Sequence, residues 1–161
     1  MKKVIVIGCP GAGKSTFARH LHEKTRLPLY HLDLIWHKPD RTHITPQEFD
    51  QALERLLQGE QWIIDGNYGR TLEKRLQHCD TVFFLNLPVG LCLNGAESRV
   101  GIKREDMPWV EVKMDEAFRE WIQTFPQNEL PEIYTLLNKY KDRRIITFYS
   151  HKEIDSFLME E

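Results

Sequence analysis

Val4-Ile5-Val6-Ile7-Gly8-Cys9-Pro10-Gly11-Ala12-Gly13-Lys14-Ser15-Thr16 is an apolar, β-branched run that ends in Gly-x-x-x-x-Gly-Lys-Ser. It opens into a helical pattern carrying Phe17, Ala18 and Leu21 on one face. Strand, glycine-rich turn and helix in that order are the context a P-loop requires. Glycine at positions 8, 11 and 13 lets successive backbone N–H groups turn into one concavity at a helix N-terminus, where phosphate oxygens are bound. Lys14 is then placed to reach the β- and γ-phosphates of ATP, and the Ser15 hydroxyl to take a position on Mg²⁺. The residues from Gly8 through Cys9, Pro10, Gly11, Ala12, Gly13, Lys14 and Ser15 to Thr16 are therefore the expected nucleotide-binding segment.

The chain has 161 residues, about one domain's length, so nucleotide loop and substrate cover must share one compact unit. Lys and Arg number 22 against 24 Asp and Glu, a formal charge of −2. No run of five like charges marks a nucleic-acid arm, and no strong nucleic-acid signal is present. Cys9, Cys79 and Cys92 are three cysteines without metal-ligand spacing, which reads as reduced thiols. The apolar stretch before Gly8 is too short for a membrane span or a signal peptide. These features predict a cytoplasmic protein with no membrane partner, either a monomer or a homodimer.

The remaining pattern alternates strands with helices. Strands are expected at 29–32, 61–65, 81–87 and 145–149. Thr45-Pro46-Gln47-Glu48 reads as a capping box opening a helix to Gly59, and a helix is expected from 72 to 78. A weak helix at 89–99 contains Gly90 and Gly95. A charged loop at 101–109 precedes an amphipathic helix from about Val112, ended by Pro126, and further helices begin at Pro131 and after Ser150. Five short strands alternating with helices predict a parallel sheet covered on both faces. Right-handed crossovers then bring Gly8, Asp33, Asp65 and Pro88 to one rim, where open α/β sheets bind ligands.

Phosphoryl transfer needs phosphates held in line, charge neutralised and an oriented acceptor. Asp33, at the expected end of the second strand, is the first choice to orient or deprotonate an acceptor hydroxyl; the competing role is a helix N-cap. Asp65 can serve Mg²⁺, against a turn or N-cap role. Arg70, Arg99, Lys103 and Arg104 are the candidate phosphate cations, the last three on a lid, and each by itself fits a solvated surface charge equally well. Trp36 and Tyr68 flank the two aspartates as walls of an acceptor pocket, or else belong to the core. His31 and His37 lack zinc-ligand spacing.

With the P-loop, Tyr30-His31-Leu32-Asp33, Trp62-Ile63-Ile64-Asp65-Gly66-Asn67-Tyr68 and Arg104-Glu105-Asp106-Met107-Pro108 in view, the chain resembles the small adenylate-kinase-related P-loop proteins. More narrowly it resembles those called DNA-topology-modulation (FlaR-type) proteins. The resemblance covers nearly the whole chain. It implies an α/β P-loop NTPase three-layer sandwich like that of nucleoside-monophosphate kinases: a five-stranded parallel sheet of order 2-3-1-4-5 in a single domain, 1–161, with a helical lid at about 99–126. The implied activity is transfer of phosphate from Mg-ATP to a small acceptor such as a nucleotide or nucleoside. Lys14, Asp33, Arg99 and Arg104 are then the expected catalytic residues. Asp33, Trp36, Asp65, Gly66, Asn67, Tyr68 and Arg70 are expected to bind the acceptor, and Ser15 and Asp65 the metal. Asn67-Tyr68-Gly69-Arg70 replaces the Gly-Phe-Pro-Arg turn by which adenylate kinases hold AMP. The alternative reading is a nucleotide-binding regulator, with little turnover, acting on DNA topology or on a protein partner.

Overall fold

A computed structural model describes residues 1–160. Five strands, β1 (Lys3–Gly8), β2 (Leu29–His31), β3 (Trp62–Asp65), β4 (Thr81–Leu85) and β5 (Arg144–Phe148), form one sheet. Its order is β2-β3-β1-β4-β5, as expected. All four neighbouring pairs are parallel. Register places Val6 beside Asp65, His31 beside Asp65, and Gly8 beside Leu85. The carboxyl ends of β1, β2 and β3 therefore reach one edge together.

Helices cover both faces: α1 (Lys14–Thr25), α2 (Leu32–Trp36), α3 (Pro46–Leu57), α4 (Gly69–His78), α5 (Val89–Ser98), α6 (Glu116–Asn128), α7 (Leu130–Lys139) and α8 (His151–Glu160). The three middle strands β3, β1 and β4 are buried almost throughout, which is why their sequences read as unbroken apolar runs. Phe17 from α1, Phe83 and Phe148 from the sheet and Phe157 from α8 pack ring to ring between the outer helices and the sheet. Offset and edge-on contacts of this kind add to the area they bury. Thr45 and Glu48 make the expected reciprocal capping box of α3. Among the described residues no helix is long and apolar enough to cross a membrane.

Several boundaries differ from the sequence pattern. The second strand stops at His31, and Leu32 already begins α2, so Asp33 rides in the first turn of a short helix rather than at the strand end. The reason is packing. Leu32 is buried against Gly66, where an added Cβ would lie 2.9 Å from Leu32 Cβ, and that contact turns the chain. Helix α4 begins at Gly69, earlier than Leu72, because the carbonyls of the preceding turn are held from within the helix, as described below. The fourth strand ends at Leu85, before Leu87. Helix α6 starts at Glu116, capped by the Asp115 side chain, and runs through Pro126 to Asn128. Proline removes one N–H donor, but Glu129 N still donates to Phe125 O at 2.9 Å, so the last turn closes.

Candidate active site

The P-loop is held by backbone packing. Gly11 and Gly13 have φ of 85° and 98°, a region open to glycine at little cost. A Cβ on Gly11 would meet Cys92 O at 1.9 Å, and one on Gly95 would meet Gly11 O at 2.0 Å. Helix α5 therefore lies directly on the loop. Gly95, a helix weakness when read along the chain, is what permits this approach. From the other side Asn67 acts as a surrogate peptide, since Gly8 N donates to Asn67 Oδ1 at 3.0 Å and Asn67 Nδ2 donates to Gly8 O. Lys14 Nζ donates to Cys9 O at 3.3 Å. Burial lowers the Lys14 pKa, opposed by the nearby Asp65 and Asp33 carboxylates and reinforced by Arg99.

Beside the loop, Ser15 meets two carboxylates. Ser15 Oγ lies 2.7 Å from Asp65 Oδ2 and 3.1 Å from Asp106 Oδ2. A hydroxyl carries one proton, so it satisfies one of the two at a time. Asp65 Oδ2 also faces His31 Nδ1 at 2.7 Å, whereas the buried Asp65 Oδ1 has no hydrogen-bond partner among the described residues. Hard oxygen donors around an orphaned carboxylate oxygen suit Mg²⁺, which keeps several waters and takes phosphate oxygens as further ligands.

The cleft over this corner has a volume of about 570 Å³. The P-loop with Lys14 and Ser15, α2, the 66–69 turn, the 99–115 segment and α6 all contribute to its lining. Asp33 faces into it, accepting a hydrogen bond from the Tyr68 hydroxyl at 2.6 Å. Burial raises the Tyr68 pKa, and the adjacent Asp33 charge raises it further, so the phenol stays a donor. Tyr68 has φ 34°, and its turn is fixed by the fully buried Arg75 of α4. Arg75 donates to Gly66 O at 2.8 Å, to Tyr68 O at 3.1 Å and to Asn67 O. Trp36 stacks on His43 at 4.4 Å and meets Phe49 and Tyr68 edge-on or tilted, so it is both a core residue and a cleft wall.

Arg99 and Arg104 also line the cleft, and each carries a buried guanidinium nitrogen without a hydrogen-bond partner among the described residues, Nε and Nη1 respectively. Arg104 Nε lies 3.7 Å from Asp106 Oδ1. Burial and the neighbouring Arg104 lower the Arg99 pKa. Two expected cations do not join them. Arg70 turns outward into a bidentate pair with Asp50, at 2.8 and 2.9 Å, and Lys103 is exposed outside the cleft. Arg70 is the first residue after the helix-starting Gly69, which points it along the outer face of α4 toward α3. Of the other expected acceptor residues, Trp36, Asp65, Gly66, Asn67 and Tyr68 do line the cleft, although the Asn67 amide is taken by Gly8.

Sequence reasoning missed Asp106, Arg75 and Gly95. Asp106 lies within the Arg104–Pro108 segment, but nothing in its spacing ties it to Ser15, 91 residues away. Arg75 falls on the helix face shared with Thr71 and Leu72, and a basic residue among apolar ones on that face was the available signal.

No protein-family model matches the chain, and no curated protein matches it in sequence. Its fold does have solved counterparts. Shikimate kinase from Acinetobacter baumannii, in complex with shikimate, superposes with a TM-score of 0.64 at 16% identity, over 99% of this chain and 92% of that one. Shikimate kinase from Bacteroides thetaiotaomicron gives 0.61 at 18% identity, over 98% and 94%. A gluconokinase from Sinorhizobium meliloti 1021 gives 0.57 at 16%, over 99% and 88%. At these identities the likeness establishes the architecture: the chain has the α/β P-loop kinase fold over its full described length.

Proposed function

We propose that this chain is a small-molecule kinase that transfers the γ-phosphoryl group of Mg-ATP to a hydroxyl of a small acceptor. One observation carries the reading: Lys14 of the phosphate loop and the Asp33–Tyr68 pair line one and the same cleft. A nucleotide-binding switch has no need of such a pair in its phosphate cleft. The structural neighbours are kinases named for shikimate and gluconate, which supports the class of reaction without giving the acceptor.

In this reading the P-loop amides and Lys14 bind the phosphates, and Arg99 and Arg104 meet them from the 99–115 segment, which serves as the lid. Ser15, Asp65 and Asp106 would hold Mg²⁺, which when bound neutralises charge on the bridging phosphates. Asp33 orients the acceptor hydroxyl and takes its proton as the acceptor oxygen bonds to the γ-phosphorus and the bond to the ADP oxygen breaks. Tyr68 holds the Asp33 carboxylate in place by its 2.6 Å hydrogen bond. Closure of the lid excludes water, which would otherwise compete as acceptor.

The test is ADP release by the purified protein with Mg-ATP, with and without acceptors. Acceptor-stimulated release, lost by a factor on the order of 10²–10⁴ in Asp33→Asn while Mg-ATP affinity is kept, supports the kinase. Asn keeps the shape and loses the base. Normal turnover by Asp33→Asn would move the acceptor site elsewhere on the rim. Salt-dependent DNA affinity with no acceptor-stimulated turnover would favour the regulator instead.

A further inference from the structure

Resting on the kinase reading, the inference concerns the charge and shape of the acceptor. Around the phosphate loop Asp65 and Asp106 meet Ser15, Arg104 stands beside Asp106, and Lys14 and Arg99 line the same cleft. A triphosphate and a divalent cation placed there leave roughly no positive surplus for a second anion. The other carboxylates of the cleft are Asp33, Glu111, Asp115 and Glu129, three of them bonded to its aromatic wall (Asp33 to Tyr68, Glu111 to Trp109, Glu129 to Trp121); the cations beside them are the exposed Lys113 and Arg41, which lies over the Trp109 ring at 5.3 Å. His37, also on this wall, has its pKa lowered by burial, with Asp33 opposing and His43 reinforcing the shift; it adds no dependable positive charge at neutral pH.

Two helix N-termini of the cleft are the natural places for an anion to bind, and the protein's own carboxylates already face both. Asp115 Oδ1 accepts from Ala117 N at 3.2 Å and closes the start of α6. Glu129 Oε2 stands 3.8 Å from where a Cβ of Gly69 would be, at the start of α4, while its Oε1 accepts from Trp121 Nε1 at 3.3 Å. The walls between these acids are aromatic. Trp36, Tyr68, Trp109, Phe118 and Trp121 all line the cleft, and Trp109 is held by its own Nε1 donating to Glu111 at 2.9 Å. Aromatic faces bordered by carboxylates favour flat rings and organic cations and disfavour carboxylates and phosphates.

We propose that the acceptor is a hydroxyl compound with a flat, apolar ring and no negative charge, such as a nucleoside or a hydroxylated aryl amine, and not a sugar acid or a nucleoside monophosphate. In this the chain departs from its neighbours named for shikimate and gluconate. The experiment measures acceptor-stimulated ADP release for adenosine, AMP, shikimate, gluconate and a hydroxylated phenethylamine. Adenosine or the amine is expected to exceed every acid by about tenfold or more in kcat/KM, the ratio that separates one like-charge contact from none. Glu129→Gln, which removes one acidic charge and keeps the Trp121 contact, is expected to raise the KM for the amine severalfold with little change in kcat, and to leave the adenosine KM nearly unchanged. An acid as the best acceptor overturns the inference and leaves the kinase reading standing. No stimulation by any probe, with Mg-ATP shown to bind by thermal shift, counts against the kinase reading and removes the inference with it.

Discussion

The P-loop and the 99–115 segment bring charged groups to the same cleft, yet they are built in different ways. The loop is fixed by main chain: glycine contacts with α5 below, the Asn67 bracket beside it and a strand and a helix at its ends. The 99–115 segment has no helix or strand of its own; it is closed on itself by Gly101 N donating to Glu111 O at 2.6 Å and tied to the rest by side-chain contacts such as Ser15 to Asp106 at 3.1 Å and Arg41 to Val110 O at 3.2 Å. Its inner surface carries Arg99, Arg104 and Asp106 beside Met107 and Trp109. A site that must hold phosphates in one place and also admit and release an acceptor needs both kinds of wall, since few buried apolar contacts make a segment easy to open.

The largest effect expected is on the rigid side. Lys14→Ala removes the one side-chain charge aimed at the phosphates from the loop, and its hydrogen bond is to Cys9 O, so activity should fall by on the order of 10³ or more while the melting temperature changes little. Steady-state ADP release and a thermal melt of the same preparation check both halves. An active variant would remove the P-loop from the mechanism.

Gly95→Ala probes the same wall from a distance. The added Cβ meets main-chain oxygen, which has no side-chain freedom to yield, so about 1–3 kcal/mol of stability should be lost, seen as a melting temperature lower by roughly 3–10 °C. Mg-ATP affinity should drop with it. Gly90→Ala is the control, because nothing lies within 4 Å of where its methyl group would sit, and it should be neutral or slightly stabilising as an alanine in a helix. Equal effects of the two would break the contrast drawn above.

Asp106→Asn tests the loosely tied wall. If Asp106 joins Ser15 and Asp65 around the metal, the Mg²⁺ concentration for half-maximal activity should rise about tenfold, and nucleotide-induced hydrogen-exchange protection of residues 99–115 should weaken. Direct titration of Mn²⁺ into the ADP complex, followed by its paramagnetic signal, gives a readout independent of turnover. Unchanged metal affinity with lowered stability would make Asp106 only a partner of Arg104.

The smallest effect expected is a proton. Burial holds the Lys14 pKa below its usual value, and bound phosphates beside it would favour the charged form and raise the value again. Binding Mg-ATP then takes up protons between the two values, so affinity should decline as pH rises through that window and be flat below it. Calorimetric titrations in buffers of different ionisation enthalpy measure the uptake. Proton release on binding would contradict the burial of Lys14.

The sequence by itself determined the P-loop, the alternation of strands and helices and the rim on which Asp33 and Asp65 fall. Those rest on local physics: β-branched runs, glycine at fixed offsets, caps and a period of about 3.6 residues. Tertiary structure alone decided what each charge meets. Arg70 and Arg99 looked equivalent along the chain, but the helix start at Gly69 turns Arg70 onto Asp50, while α5 ends with Arg99 facing the cleft. Asp106 became a partner of Ser15, and Gly95 a necessity rather than a weakness, only when segments roughly 80–90 residues apart were packed together. Periodicity fixes which face a residue is on; the neighbour across that face is set by the packing of distant elements.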